Sequence, residues 1–197
     1  MNLLTERQWH WINPPTDVNI TEGELTLNTL PHTDYWQRTY YGFRNDNAHT
    51  YLFEEIGDFT MTVKTHFDSK VLFDQCGVCL YQNSDNWFKA SIEYEGGETA
   101  KLGSVVTNLG YSDWATQDIG TDIHEMWYRV SRRGQDFLIE QSPDGNLFVQ
   151  MRILHMHAPI DKAAIGIYAC SPLESSFTAT FSHMTIGPCL WKGHGEA

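Results

Sequence analysis

The chain has 197 residues, 41% hydrophobic and 13% aromatic, with 13 Lys+Arg against 25 Asp+Glu for a formal net charge of −12. That length suits one ordinary domain, which at about 70% burial of its unfolded surface folds without a disulfide or metal staple. The acidic balance excludes nucleic-acid and anionic-membrane partners, which are held by clustered Lys and Arg. Charged residues reach only 19%, so the surface must work through amides, hydroxyls and rings.

The first ten residues, Met1 to His10, lack a basic region followed by an apolar core, so no signal peptide is expected. No apolar run approaches the ~20 residues that span a bilayer. The expectation is a soluble cytoplasmic protein. The cysteines Cys76, Cys79, Cys170 and Cys189 agree with a reducing compartment.

Strand signals follow one another along the chain. A short apolar segment covers 26–30 and ends at Pro31. Over 59–67, Phe59, Met61 and Val63 alternate with Thr60, Thr62 and Lys64, a period of two that marks a strand with one dry face. Strands over 75–82 and 87–95 are joined by Asn83-Ser84-Asp85-Asn86, whose turn-forming residues predict a hairpin. Further strands are expected over 101–109, 127–132, 136–142, 147–154, 164–169 and 177–186. Arg133-Gly134-Gln135 and Pro143-Asp144-Gly145-Asn146 separate some of them as turns. No segment keeps a helical apolar period for three turns. Roughly ten to twelve short strands without crossover helices predict antiparallel sheets packed face to face, or a barrel, in one domain over 1–197.

Alternation divides the strand at 87–95 into two sides. Phe88, Ala90, Ile92 and Tyr94 form an apolar side for the core; Trp87, Lys89, Ser91 and Glu93 form the other, suited to a polar ligand or to a solvated outer face. A second polar-aromatic strip lies in Asp34-Tyr35-Trp36-Gln37-Arg38-Thr39-Tyr40-Tyr41, where Trp36, Arg38 and Tyr40 would share one side. An amide-rich loop follows over 42–49. In the segment 104–114, Gly110 and Ser112-Asp113 read as a bend that leaves Trp114 near a strand edge. Flat rings covering a sugar's CH face, flanked by charged groups that bond its hydroxyls, are the chemistry of saccharide recognition.

Metal and nucleophile signals are weak. Cys76-Gly77-Val78-Cys79 has C-x-x-C spacing, yet residues three apart on a strand point to opposite faces, so buried inert thiols are expected. His155-Met156-His157 places two imidazoles on one strand side without further ligand spacing, and reads as a surface edge. No cofactor, metal or nucleotide-binding loop is expected. Glu93 with Asp113 is the carboxyl pair that a glycoside hydrolase would need, about 5–9 Å apart across a cleft.

Eight segments in order carry a family resemblance. They run from Asp34-Tyr35-Trp36-Gln37-Arg38-Thr39 with Tyr41-Gly42-Phe43, through Asp46-Asn47-Ala48-His49, Asp58-Phe59-Thr60 and Asp74-Gln75-Cys76-Gly77. Asn86-Trp87-Phe88-Lys89-Ala90-Ser91-Ile92-Glu93-Tyr94 and the stretch from Ser104 to Trp114 follow. Trp127-Tyr128-Arg129-Val130 and Gly166-Ile167-Tyr168-Ala169-Cys170-Ser171-Pro172 complete the set. Over about residues 8–187 the chain resembles the family of unknown function that includes the fungal regulation of enolase protein. The resemblance implies an all-β, concanavalin A-like jelly-roll β-sandwich of two curved antiparallel sheets, of the lectin/glucanase superfamily. Its motif-matching polar residues are Trp36, Arg38, Asp46, His49, Gln75, Lys89, Glu93, Asp113, Trp114 and Arg129. Ala48 and Ser91 stand where members usually carry Gly, and the Ser91 hydroxyl would narrow the binding face.

The leading expectation is a carbohydrate-related binding sandwich whose concave sheet presents Trp36, Arg38, Gln75, Lys89 and Glu93, with Asp113 and Trp114 at the rim. Lys89 and Glu93, ~13 Å apart in backbone rise, would bracket one or two sugar rings or pair with neighbouring strands, for instance with Arg38. The rival expectations are a module that regulates a metabolic enzyme by binding it, with Trp and Arg as hot spots, and a hydrolase acting through Glu93 and Asp113. The partners expected are thus a saccharide or small polar ligand, or a protein.

Overall fold

Alternating apolar and polar residues put most of the chain into strands. The computed structural model describes residues 3–193 and 195. After one helical turn, α1 (Leu3–Glu6), come β1 (His10–Ile12), β2 (Asp17–Thr21), β3 (Glu24–Asn28), β4 (Tyr35–Gln37), β5 (Arg44–Asp46), β6 (His49–Ile56), β7 (Phe59–Phe67) and β8 (Gln75–Asn83). The second half holds β9 (Asn86–Tyr94), β10 (Thr99–Asn108), β11 (Tyr111–Gly120), β12 (Glu125–Arg133), β13 (Asp136–Ser142), β14 (Val149–His155), β15 (Lys162–Cys170) and β16 (Thr178–Gly187). Among the described residues no helix is long and apolar enough to cross a membrane.

Two seven-stranded sheets pack as a sandwich, the first in the order β1-β6-β15-β8-β9-β10-β11 and the second β14-β13-β12-β7-β16-β3-β2. Their ladders are antiparallel. Strands far apart in sequence lie side by side, as β15 does between β6 and β8, which is jelly-roll connectivity. The expected all-β sandwich is the observed fold. Between the sheets, Leu25, Phe53, Val63, Val78, Phe88, Tyr128, Phe137, Ile165 and Phe181 are buried. The Phe88 and Phe137 rings meet edge to face at 5.1 Å across the gap. Each such side chain contributes ~1.5–3 kcal/mol on burial, so this layer holds the sheets together.

A smaller apolar cluster lies on the outer face of the first sheet. Tyr35, Ala48, Cys79, Trp87, Val105, Tyr168 and Cys170 are buried there beneath the β4–β5 hairpin. Trp87 is therefore packed rather than offered to a ligand, and its indole donates to Ser84 O at 3.1 Å. Tyr35 anchors the hairpin, with its hydroxyl 2.8 Å from Thr50 Oγ1. Gln37 N donates to Ser112 Oγ at 2.9 Å and fixes the other end.

The structure corrects several sequence expectations. The polar-aromatic strip at 34–41 is strand only from Tyr35 to Gln37, because Arg38, Tyr40 and Gly42 take left-handed φ of 59°, 61° and 77°. Alternation fails there, so Trp36, Arg38 and Tyr40 do not share a side. Residues 50–56 belong to β6, whose acids Glu54 and Glu55 hid the strand pattern. The bend expected near Gly110 is a two-residue turn, with Leu109 at φ 53° and Gly110 at 78°, the left-handed pair that joins twisted antiparallel strands. It feeds β11, an edge strand with polar groups on both sides and hence no apolar alternation to read.

Candidate functional site

A pocket of about 340 Å³ opens between the outer face of the first sheet and the β4–β5 hairpin. Its floor is Gln75, Lys89 and Glu93; its walls include Trp36, Tyr41, Phe43, Phe73 and Trp114. The hairpin rings pack on one another, Trp36 edge to face with Tyr41 at 5.4 Å and Tyr41 stacked on Phe43 at 5.5 Å. Phe73 reaches the opposite wall from a loop in which Asp74 Oδ2 accepts the Lys70 and Val71 N–H groups at 3.0 and 2.9 Å. Trp114, 38% exposed, rises from the edge strand opposite Val105. Its indole lies over Gly103, where a Cβ would stand 3.1 Å from Nε1.

The floor is one hydrogen-bonded unit. Lys89 Nζ donates to Gln75 Oε1 at 2.9 Å, and Gln75 Nε2 donates to Glu93 Oε2 at 2.6 Å and to Phe73 O at 3.1 Å. These roles orient the amide, since its oxygen must meet the ammonium and its nitrogen the carboxylate. The Tyr168 hydroxyl closes the network at 2.9 Å from Gln75 Oε1 and 2.6 Å from Ser91 Oγ. In register, Gly77 lies between Tyr168 and Ser91, so the ring passes over a residue without a side chain. Lys89 and Glu93 thus converge on Gln75, and neither pairs with Arg38.

Lys89 is 4% exposed. Burial opposes its charge, but Asp34, with Oδ1 3.7 Å from Nζ, and Glu93 outweigh that and hold the ammonium protonated. Burial pushes the Glu93 carboxyl up to about 7, against the attraction of Lys89 and with help from Asp34 and Glu95. The folded state thus holds this proton more tightly than the unfolded chain. Stability from Glu93 is full below its ordinary 4.5 and is lost as pH rises toward about 7. Glu93→Gln should therefore raise the melting temperature at about pH 8, by on the order of 1–3 kcal/mol of stability, and leave it unchanged at about pH 4. Thermal melts at the two pH values check this; an equal shift at both would assign the effect to packing.

The structure brings Trp36, Gln75, Lys89, Glu93 and Trp114 together and sets the other five expected residues apart. Arg38 turns away to donate to Gly110 O at 2.6 Å, beside Asp85 and 5.4 Å from the Tyr111 ring. Asp46 Oδ2 accepts from the Tyr81 hydroxyl at 2.8 Å beneath the hairpin. His49 is buried: Nε2 accepts Leu30 N–H at 3.0 Å, so Nδ1 carries the proton and donates to Asn13 O at 2.6 Å. Burial lowers its pKa and keeps it neutral. Arg129 lies on the second sheet, forked onto Glu140 at 2.6 and 2.8 Å. Asp113 stands opposite Val106, a core residue, and bonds Arg152 of β14 at 2.5 Å. Glu93, by alternation from Ile92, faces the other side, so this carboxyl pair does not line a common cleft.

Asp34 and Tyr168 went unselected in the sequence. Asp34 is the counter-ion of Lys89 from 55 positions away, with no local sign of that partnership. Tyr168 did carry a signal, since it faces away from the aliphatic Ile165, Ile167 and Ala169 of its own strand. Cys76 and Cys79 are buried free thiols on opposite faces of β8, as their spacing implied. His155 Nδ1 lies 2.6 Å from Asp136 Oδ1 at the β14 edge.

Fold and pocket together define a jelly-roll β-sandwich carrying an aromatic-walled, ionic-floored pocket on one outer face. The chain belongs to the family described as "Protein of unknown function (DUF1349)", which matches residues 11–189. It is similar to Regulation of enolase protein 1 of Saccharomyces cerevisiae, at 33% identity over 185 residues covering 94% of this chain and 92% of that protein. A crystal structure of a functionally unknown protein from Saccharomyces cerevisiae superposes with TM-score 0.87 at 32% identity, covering 93% of this chain and 98% of that one. A GH43 protein of Bacillus licheniformis superposes with TM-score 0.70 at 17% identity, covering 90% of this chain and 36% of that enzyme. Bacteroides ovatus xyloglucan GH43B does so at 0.68 and 15%, covering 92% and 36%. The GH43 likeness concerns the fold, over about a third of each enzyme.

Proposed function

We propose that the protein is a binding module for a saccharide, held in the pocket beneath the β4–β5 hairpin. The observation that carries this reading is the buried Lys89–Gln75–Glu93 unit at the base of walls made by Trp36, Tyr41, Phe43 and Trp114. Rings of this kind cover the CH faces of a sugar, and the charged groups beneath bond its hydroxyls. At about 340 Å³ the pocket is at the small end of ligand sites and suits a mono- or disaccharide rather than a long chain. The free thiols suit a cytoplasmic setting.

Titration with mono- and disaccharides should change tryptophan fluorescence saturably. Trp114→Ala, at an exposed edge position, should weaken binding ~10-fold while leaving the melting temperature within a few degrees. Unchanged emission and unchanged melting temperature across a broad glycan panel would overturn the proposal.

One observation favours a second reading. The hairpin tip exposes Tyr40 (94%), Tyr41 and Phe43 beside the pocket mouth, the aromatic chemistry of an interaction hot spot. A similar yeast protein is named for the regulation of enolase. Retention of enolase on the immobilised protein, lost in Tyr40→Ala with Tyr41→Ala, would support this reading; no retention would remove it.

A further inference from the structure

Two groups on the pocket floor have unused hydrogen-bonding capacity. An ammonium has three N–H donors. Lys89 gives one to Gln75, while Asp34 Oδ1 at 3.7 Å lies beyond hydrogen-bond reach. Glu93 commits Oε2 to Gln75, and its Oε1 bonds nothing among the described residues. The Gln75 amide between them is spent, both N–H donors given to Glu93 and Phe73 and the oxygen taken by Lys89 and Tyr168. It therefore acts as a spacer that holds a donor and an acceptor at a set separation.

The charge balance narrows the ligand further. Lys89 is the sole cation lining this pocket among the described residues, and it faces two carboxylates, Asp34 and Glu93. A third anion would meet like charge in a poorly screened site, where each unit pair costs several times its value in water. Resting on the saccharide reading, we infer that the pocket selects a neutral sugar through two adjacent hydroxyls, Lys89 Nζ donating to one and Glu93 Oε1 accepting from the other, and excludes sugar acids and sugar phosphates. Lys89 is a binding residue in this scheme and Gln75 a positioning residue.

Glu93 is faced by Lys89 on its own strand and Glu95 just past its end, Asp34 from the hairpin, Lys101 in register on β10, and Tyr168 and Cys170 on β15. Burial lifts the last two far above neutrality, and Lys101 is tied to Asp118. Burial brings Glu93 itself up to about 7, and the selection against anions should strengthen as it ionises.

Calorimetric titration of glucose, galactose and xylose beside glucuronate, galacturonate and glucose 6-phosphate tests this at about pH 8 and about pH 6. The expected result is a neutral sugar that binds at least ~10-fold more tightly than its matched acid at the higher pH. That gap should narrow at the lower pH and narrow again in Glu93→Gln, which keeps the side-chain shape. An acid or phosphate that binds as tightly as its neutral counterpart, or a gap unaltered in Glu93→Gln, overturns the inference and leaves saccharide binding standing. Silence from every sugar overturns both.

Discussion

Lys89→Met should lower the melting temperature by roughly 10 °C at about pH 8, since breaking a buried ion pair costs ~3–5 kcal/mol and each kcal/mol moves a domain of this size by ~2–4 °C. The methionine fills most of the space, so the loss is electrostatic. Glu93 and the half-buried Asp34 would be left without their cation, and Gln75 Oε1 would lose its ammonium donor. The pH dependence separates charge from packing. Glu93 already holds its proton up to about 7 with Lys89 present, and more tightly without it. At about pH 5 one of the two stranded charges is therefore neutralised and part of the loss is recovered. The double variant Lys89→Met with Glu93→Gln should recover a similar part at the higher pH. Thermal melts of both variants across this range check the argument, and a loss independent of pH would refute it.

Gly77→Ala should be more damaging still. A Cβ at this position would stand 1.9 Å from Ala90 O and 2.9 Å from Ala90 C, both backbone atoms of the adjacent strand. No rotamer change can relieve that overlap; β8 and β9 would have to part, at the point where Tyr168 crosses to Ser91. Overpacking enforced by backbone belongs with the rare substitutions that cost more than ~4 kcal/mol. The variant should be recovered unfolded or insoluble. Gly187→Ala is the control, as its added carbon meets nothing within 4 Å and its φ is not left-handed. Its stability should stay within ~0.5 kcal/mol of the parent. A Gly77→Ala protein melting within a few degrees of the parent would show that the two strands can separate at little cost.

Period-two alternation placed β7 and β13 at their observed limits and separated Phe88, Ala90 and Ile92 from Lys89, Ser91 and Glu93. It failed where its premise failed. The strip at 34–41 breaks up because left-handed residues interrupt it, and β11 escaped because an edge strand wetted on both sides has no apolar period. The floor of the site was half legible: Lys89 and Glu93 share a strand, so spacing alone put them on one face. Of their partners, Gln75 came with the family resemblance, while Asp34 and Tyr168 carried no sign of the partnership, because they reach the floor only through the strand order β15-β8-β9 and the hairpin laid across it. The same order sent Arg129 to the second sheet and Asp113 to the face opposite Glu93. Strand identity and sidedness are properties of consecutive residues, whose backbone pleat the sequence sets locally. Which strands become neighbours is decided by the burial of whole faces against each other, and the pocket, its counter-ion and its spacer amide exist only once that packing is complete.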